Sequence, residues 1–296
     1  MLIKMKCQVG KIWYEKEENG MIYKTIAILI ILFIVAFIFW DNTRIKVTKY
    51  VISNKKINKN LDKFKIALIT DLHNKDFKGD LIDKIKKESP DIIVVSGDFT
   101  DDRTYNPEYS KRIMNSFKAI APVYYSTGNH EEREKQYFEI REDLINQGIN
   151  ILENESILYR KGRDRINIIG LRDPAAYTGR LSGNNIFGRY LDDRLNELNV
   201  KNDMFNILIA HRPEHIDVYS KYDIDLVLSG HVHGGQIRLP LIGAVLGPNQ
   251  GIFPRYYEGV HKVGNTYMVV SRGLGNSAFP VRINNPPELV IIELRK

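Results

Sequence analysis

The chain has 296 residues, a formal net charge of +7 and a single cysteine, Cys7. One cysteine excludes a disulfide framework and a metal site built from thiolates, and it leaves the redox compartment open. The charge favours anionic substrates or an anionic membrane surface. The sequence has no cluster of Lys and Arg interleaved with aromatic residues, so a nucleic-acid partner is not predicted.

An uncharged apolar run near the N-terminus, TIAILIILFIVAFIFW over residues 25–40, predicts a membrane anchor. At about 1.5 Å per residue this run is slightly shorter than the ~30 Å hydrocarbon core, and residues 21–24 lengthen it enough to span. It is too uniformly apolar for an amphipathic core helix, and no small-residue cleavage site follows it. We therefore predict an uncleaved, single-pass anchor over residues 21–40, preceded by a polar, unstructured segment over residues 1–20. Met21 is an alternative start of the chain.

Basic residues lie on both sides of the predicted anchor. Lysines interleaved with glutamates precede it, and arginine and lysine side chains follow it over residues 44–59. The positive-inside rule therefore favours only slightly a cytoplasmic location for the domain that follows the anchor. After the anchor we predict a linker over residues 41–62 and one globular domain over residues 63–296.

Short apolar runs alternate with amphipathic segments from Phe64 onward. The predicted strands are FKIALITD, DIIVVSGD, PVYYSTGN, RINIIGL, FNILIAH, DIDLVLSG, TYMVVS and ELVIIEL. Helices are predicted at LIDKIKKESP, at YSKRIMNSFKAI and over residues 132–147. Strands of continuous Ile, Val and Leu are buried on both faces, so an α/β fold with helices outside is predicted. Residues 173–200 and 234–262, rich in Gly, Asn and Pro, are predicted to be surface loops around a site.

Five of the predicted strands end in side chains that can bind a metal. In chain order these are Asp71 and His73, then Asp98 and Asp101, then Asn129, His130 and Glu131, then His211, and finally His231 and His233. Ligands of open α/β sheets bind beyond the carboxyl ends of the strands. One such Asp or His alone is more often a cap or a hydrogen-bonded residue, but the five together predict a metal site. Mixed oxygen and nitrogen donors suit Mn, Fe or Zn.

The remaining polar candidates are interpreted as structural. We treat Asp76, Asp80 and Glu131 as solvated or capping groups, and we leave His215 and His261 as structural histidines because they lie away from these strand ends.

The order of these motifs resembles a known family. D-x-H, G-D-x-x-D, G-N-H-E, a later His and G-H-x-H follow one another from Phe64 to the C-terminus, as in the calcineurin-like metallophosphoesterases. GHVHGGQIRLP and SRGLGNSAFPVRINNPPEL are similar in particular to the bacterial, membrane-associated phosphodiesterase branch. The resemblance implies a four-layer α/β/β/α sandwich, here preceded by one N-terminal transmembrane helix, with residues 63–296 as the catalytic domain.

The resemblance also implies two divalent metal ions, Mn, Fe or Zn with Mn favoured, and a role for each motif residue. Asp71, His73 and His233 would hold one metal, and Asn129, His211 and His231 the second, with Asp98 bridging the pair. His130 would be catalytic without binding metal, and Asp101 would orient it. A hydroxide activated by both metals would attack phosphorus directly, so no phospho-enzyme is expected.

Three hypotheses on function follow. The first is a membrane-anchored phosphoesterase that hydrolyses phosphodiester or pyrophosphate bonds, with lipid head groups or envelope polymers as candidate substrates. The second is a catalytically weak, metal-stabilised membrane scaffold of the same fold. The third, an exonuclease, lacks an evident basic surface to track DNA and does not explain the anchor. By resemblance the domain lies outside the cytoplasm, against the slight charge bias.

Overall fold

The structure, a computed structural model, describes residues 2–104, 106–178, 183–276 and 281–296, with side chains from Gly20 onward. The first elements in chain order are α1 (Leu2–Thr43), β1 (Lys46–Ser53), β2 (Phe64–Ile69), α2 (Asp80–Glu88), β3 (Ile92–Ser96), α3 (Pro107–Lys118), β4 (Val123–Ser126), α4 (Asn129–Arg133), α5 (Tyr137–Asn146) and β5 (Asn150–Ile151). Next come β6 (Glu155–Lys161), β7 (Asp164–Gly170), α6 (Ala175–Thr178), α7 (Asn184–Leu198), β8 (Phe205–Ile209), α8 (Ile216–Tyr219) and β9 (Leu226–Ser229). The last are β10 (Arg238–Leu239), β11 (Gly243–Ala244), β12 (Leu246–Gly247), β13 (Gly251–Ile252), β14 (Gly259–Val263), β15 (Thr266–Val270) and β16 (Glu288–Arg295).

Most of the strands form two six-stranded sheets. The first has the order β1-β16-β2-β3-β4-β5, and the second has the order β14-β15-β9-β8-β7-β6. β2, β3, β4 and β5 run parallel, as do β7, β8, β9 and β15 in the second sheet. The sheets meet near their carboxyl ends, where the hydroxyl of Ser96, the last residue of β3, donates to the carbonyl of Leu228 in β9 at 2.8 Å. Loops from both sheets therefore converge at one end of the domain.

The side chains of each sheet alternate between two buried environments. In β2, Ile66 and Leu68 pack between the sheets, where they join Ile207 of β8. Ala67 faces the helices of the first sheet, and Leu208 faces α7 and α8 outside the second sheet. Burial on both faces explains the continuous apolar runs, because neither face of these strands meets water. The predicted four-layer α/β/β/α architecture is confirmed.

The N-terminal part of the chain has more regular structure than the sequence indicated. Residues 1–20, predicted to be an unstructured segment, are helical from Leu2, and no proline interrupts the run into the apolar stretch. The predicted linker over residues 41–62 contains β1, which pairs with β16 along its whole length. Its mixed polar sequence, KVTKYVIS, is typical of an edge strand with one exposed face, and this is why it did not read as a buried strand.

Two other predictions were wrong. Residues 173–200 were expected to be loops, but they contain α7, whose Phe187, Leu191 and Leu195 are buried at helical spacing. The high Gly and Asn content of that stretch obscured this periodicity. The single helix expected over residues 132–147 is instead α4 and α5, separated by a short break. Residues 179–182 and 277–280, which belong to segments quoted above, lie outside the described residues.

The segment Gly20–Thr43 of α1 is long and apolar enough to cross a membrane. Its 24 residues would extend about 36 Å, more than the ~30 Å of a hydrocarbon core. Large apolar side chains from Met21 to Trp40 are exposed, so this helix is not part of the core of the domain.

Candidate metal centre and active site

The structure brings the motif residues from five strand ends together. Asp71 follows β2, Asp98 follows β3, and Asn129 opens α4 directly after β4. From the second sheet, His211 follows β8, and the loop after β9 supplies the two remaining histidines. All of these side chains are buried, as are those of His73, Asp101, His231 and His233, whereas His130 is partly exposed.

One cluster lies beside the end of β2. The candidate ligand atoms of Asp71, His73, Asp98 and His233 all lie within 4.8 Å of one another. The Nε2 atoms of His73 and His233 are 3.3 Å apart, and Nε2 of His233 is 3.5 Å from Oδ1 of Asp71. Four donor atoms therefore surround one small volume.

A second cluster shares Asp98 with the first. It comprises Asp98, His211 and His231, again with ligand atoms within 4.8 Å of one another. Nε2 of His211 is 3.1 Å from Oδ2 of Asp98. One end of the Asn129 side-chain amide lies 2.9 Å from Nδ1 of His231. In one orientation of the amide, its NH2 group donates to this nitrogen. In the other orientation, the amide oxygen and the ring nitrogen could share a cation. Asp98 is thus the residue common to both clusters.

The hydrogen bonding of His211 leaves a lone pair aimed at Asp98. Its Nδ1 is 2.8 Å from the carbonyl oxygen of Ser96, and because a carbonyl only accepts, Nδ1 must carry the proton. In a neutral ring, Nε2 then presents a lone pair toward the carboxylate, and it has no hydrogen-bond partner. Two acceptors facing each other in a buried site fit a cation between them.

The electrostatics of the buried groups also fit a cation. Burial lowers the pKa of His73 to about 3 and lowers those of His231 and His233 well below the usual range, so these rings are neutral and could bind a metal through their lone pairs. Burial, reinforced by the charge of Asp98, raises the pKa of Asp71 to about 6. Two buried carboxylates that repel each other require positive charge nearby. The donor set of carboxylate, amide and imidazole therefore fits divalent metals.

When no metal is bound, a proton on His211 supplies part of the positive charge that the buried carboxylates require. Although burial opposes it, the charge of Asp98 raises the pKa of His211 to about 10. In turn, the charges of His211 and His130 outweigh burial and hold the pKa of Asp98 well below its usual range. A divalent cation would displace the proton of His211, because ligands must be deprotonated to bind metal.

The backbone at these residues adopts an uncommon conformation. Asp71, His73, Asp98, His231 and His233 have φ angles between 48° and 72°, in the left-handed region that non-glycine residues rarely occupy. Such strain persists only where the surrounding structure enforces it, and it clusters at functional sites. Here it turns each side chain back toward the common centre.

Two glycines allow the strand ends to approach one another. A Cβ atom at Gly230 would collide with Oδ2 of Asp71, and one at Gly97 would lie 2.6 Å from Cα of Gly128. Gly97 also has a φ of +76°, which an L side chain disfavours.

His130 lies at the edge of the centre beside two carboxylates. Its Nδ1 is 2.8 Å from Oδ1 of Asp102 and 3.6 Å from Oδ1 of Asp101. Asp101, expected to orient His130, also accepts two hydrogen bonds from the guanidinium of Arg103 at 2.8 and 2.7 Å. Although burial opposes it, Asp98 together with Asp101 and Asp102 raises the pKa of His130 to about 9. Sequence reasoning missed Asp102, although the doubled acid in SGDFTDD is a visible signal.

Glu131 supports the loop that carries Asp98. It is buried, and its carboxylate accepts hydrogen bonds from the backbone N–H groups of Asp98, Thr100 and Gly128 at 2.8–2.9 Å. Of the two roles considered for it, capping is therefore correct and solvation is wrong. Arg212 and Asp173 form a buried ion pair at 2.7 Å, and the guanidinium of Arg212 lies 3.4 Å from Nε2 of His231. No motif indicated this pair.

Comparison with known proteins places these observations in a family. The family model described as Calcineurin-like phosphoesterase matches residues 64–235. The uncharacterized metallophosphoesterase YkuE of Bacillus subtilis is 30% identical over 267 residues, which cover 85% of this chain and 86% of that protein. Phosphodiesterase YaeI of Escherichia coli is 28% identical over 240 residues, covering 78% of this chain and 82% of that protein. Among solved structures, a dimetal phosphatase from Danio rerio matches with a TM-score of 0.43 at 13% identity, over 72% of this chain and 88% of that one.

The family model covers more than half of the chain, and the similarity to YkuE extends over most of both proteins. This chain therefore belongs to the calcineurin-like phosphoesterase family and is a metal-dependent phosphoric ester hydrolase.

Proposed function

We propose that the chain is a membrane-anchored dimetal phosphoesterase that hydrolyses phosphodiester or pyrophosphate bonds. The observation that carries this proposal is the position of Asp98, whose carboxylate belongs to both ligand clusters. Similarity to phosphodiesterase YaeI supports a diester substrate, and the exposed apolar segment Gly20–Thr43 of α1 supports the anchor.

The proposed ligand sets follow the two clusters. Asp71, His73 and His233 would hold one divalent metal, and Asn129, His211 and His231 would hold the other, with Asp98 shared between them. Oxygen and imidazole donors without thiolate suit Mn, Fe or Zn, and manganese is the metal that this proposal favours. Bound metals would supply positive charge for the phosphoryl oxygens and would lower the pKa of a water nucleophile.

The protein's own residues manage the proton of the leaving group. His130 is the only partly exposed member of the nine predicted site residues, and its Nε2 is 3.9 Å from Oδ2 of Asp98. Neighbouring carboxylates keep the ring protonated, so it can donate to the departing oxygen as a general acid. Asp102 holds the Nδ1 side of the ring in this proposal, and Asp101 lies farther from the same nitrogen, at 3.6 Å. A scaffold without catalysis would need no such donor.

Asp98→Asn tests the shared ligand. Because the variant loses one negative charge from both clusters, we expect metal content per chain to fall and hydrolysis of bis-p-nitrophenyl phosphate in Mn²⁺ to drop to background. Elemental analysis and the colorimetric assay measure the two effects. Asp80→Asn, an exposed acid on α2, is the matched control and should retain both. Normal activity in Asp98→Asn would exclude the shared-ligand arrangement.

His130→Ala separates proton donation from metal binding. Loss of a general acid lowers turnover by roughly 10²–10⁴-fold, whereas metal content stays at the level of the unmodified protein. Metal analysis on the same preparation used for kinetics checks this. If the variant loses metal, His130 is a ligand and its proposed role is wrong.

Asp101→Asn and Asp102→Asn together decide which carboxylate positions His130. The 2.8 Å contact predicts that Asp102→Asn lowers kcat roughly 10–100-fold with little change in KM or metal content. We expect Asp101→Asn to act differently, because Asp101 Oδ2 is 3.7 Å from Nδ1 of His73. That variant should weaken metal affinity, measured by Mn²⁺ titration of activity. The reverse pattern would assign the positioning role to Asp101.

A further inference from the structure

The helix α1 leaves the domain at the same end as the proposed active site. β1 pairs parallel with β16, and β16 pairs antiparallel with β2. The amino end of β1 therefore lies at the edge where β2 and β3 end, and this edge carries Asp71 and Asp98. Only Arg44 and Ile45 separate α1 from β1. A bilayer around α1 would consequently face the catalytic end of the domain.

Hydrogen bonds fix the end of α1 to the segment behind the metal centre. The Asn42 side chain donates to the carbonyl of Arg282 and accepts from its N–H, both at 2.8 Å. The Asp41 carboxylate accepts from the N–H of Asn285 at 2.9 Å, and the Asn285 amide donates to the carbonyl of His233 at 2.7 Å. Two hydrogen bonds thus connect the helix to a proposed ligand, and no flexible tether lies between them.

An exposed apolar surface projects from this same end. β9 runs parallel to β15 and β14 runs antiparallel to it, so the chain between β9 and β14 begins and ends at the catalytic edge. This stretch forms the two short hairpins β10–β11 and β12–β13. Its exposed apolar side chains, here called the apolar loop surface, are Leu239, Leu241, Ile242, Leu246, Ile252 and Phe253.

The apolar loop surface lies next to both the metal centre and the helix end. Asn249, between the strands of the second hairpin, places its Oδ1 3.4 Å from Nε2 of His231. At the base of the first hairpin, the N–H of Arg238 donates to the carbonyl of Ile283, one residue from the partner of Asn42. Soluble proteins rarely expose many large apolar side chains in one short stretch unless it contacts a membrane or another protein.

Residues at the end of α1 mark the level of the membrane surface. Trp40 is half-exposed, and the guanidinium of Arg44 lies 4.0 Å from the centre of its ring. Tryptophan and arginine at the end of an apolar helix are typical of the head-group region. This level coincides with the catalytic edge, because β1 begins two residues after Arg44.

We propose that the apolar loop surface is a second membrane contact, in which Leu241, Ile242 and Phe253 enter the interfacial region of the bilayer that α1 spans. The active site then opens at the level of the lipid head groups. This inference rests on the proposed function and narrows its substrate class to phosphodiester or pyrophosphate groups carried by a membrane lipid.

Depth measurements on the full chain test this contact. In a Cys7→Ser background, Leu241→Cys or Phe253→Cys is labelled with an environment-sensitive fluorophore, and the protein is reconstituted in phosphatidylcholine–phosphatidylglycerol vesicles. We expect doxyl-labelled lipid to quench both labels several-fold more than a label at Leu158→Cys. Leu158 is the matched control because it is 40% exposed, apolar and on β6, the opposite edge strand of the second sheet.

A label at Phe37→Cys in α1 separates this inference from the anchor on which it rests. If Phe37 is quenched by the lipid probe but residues 241 and 253 behave like residue 158, the second membrane contact is wrong and the anchor stands. If Phe37 is not quenched, both the anchor and the contact are wrong. Self-quenching between copies at residue 241, without lipid quenching, would assign the surface to a second copy of this chain and overturn the proposal.

Kinetics test the substrate class independently. The unmodified chain in vesicles is given phosphatidylglycerol in the same bilayer, or glycerophosphoglycerol, which has the same diester without acyl chains. We expect kcat/KM to be at least ~10-fold higher for the vesicle-borne diester, because membrane contact raises its local concentration at the site. Equal values, or a preference for the acyl-free diester, would overturn the lipid-borne substrate class while leaving the phosphoesterase proposal intact.

Discussion

The arrangement of the whole domain depends on one buried charge. The carboxylate of Asp98 is 2% exposed, and its Oδ2 lies 3.1 Å from His211, 3.8 Å from His73 and 3.9 Å from His130. These imidazoles come from both sheets, so the charge is compensated only if the sheets end at the same place. A buried carboxylate without such partners is costly. Packing of the two sheets therefore also brings the candidate ligands of the metal centre together.

Much of this could be predicted from the sequence, because the chemistry follows the strands. FKIALI and IIVVS are apolar on both faces, and each is followed within a few residues by Asp71 or Asp98. Parallel strands bring their carboxyl ends to one edge, so residues 27 positions apart in the chain can be expected to meet. For this reason, the sequence was sufficient to predict the fold class and the residues that meet at the candidate metal centre.

Features that depend on tertiary contacts could not be predicted from the sequence. No local pattern indicates that Asp71 or His231 adopts a positive φ, since that backbone is enforced by neighbours distant in sequence. Asp102 and Asp101 cannot be ranked from their order alone, because the folded loop that carries them decides which carboxylate lies nearer to His130. β1 read as a linker because only one of its faces is covered. That strand nevertheless determines which end of the domain the helix leaves.

Anomalous diffraction from crystals grown with Mn²⁺ tests most directly whether the two ligand clusters form one binuclear centre. We predict two manganese peaks about 3.5–4 Å apart, both in contact with Asp98. One peak should also contact Asp71, and the other should contact His211. A single peak, or peaks that do not share Asp98, would contradict the account.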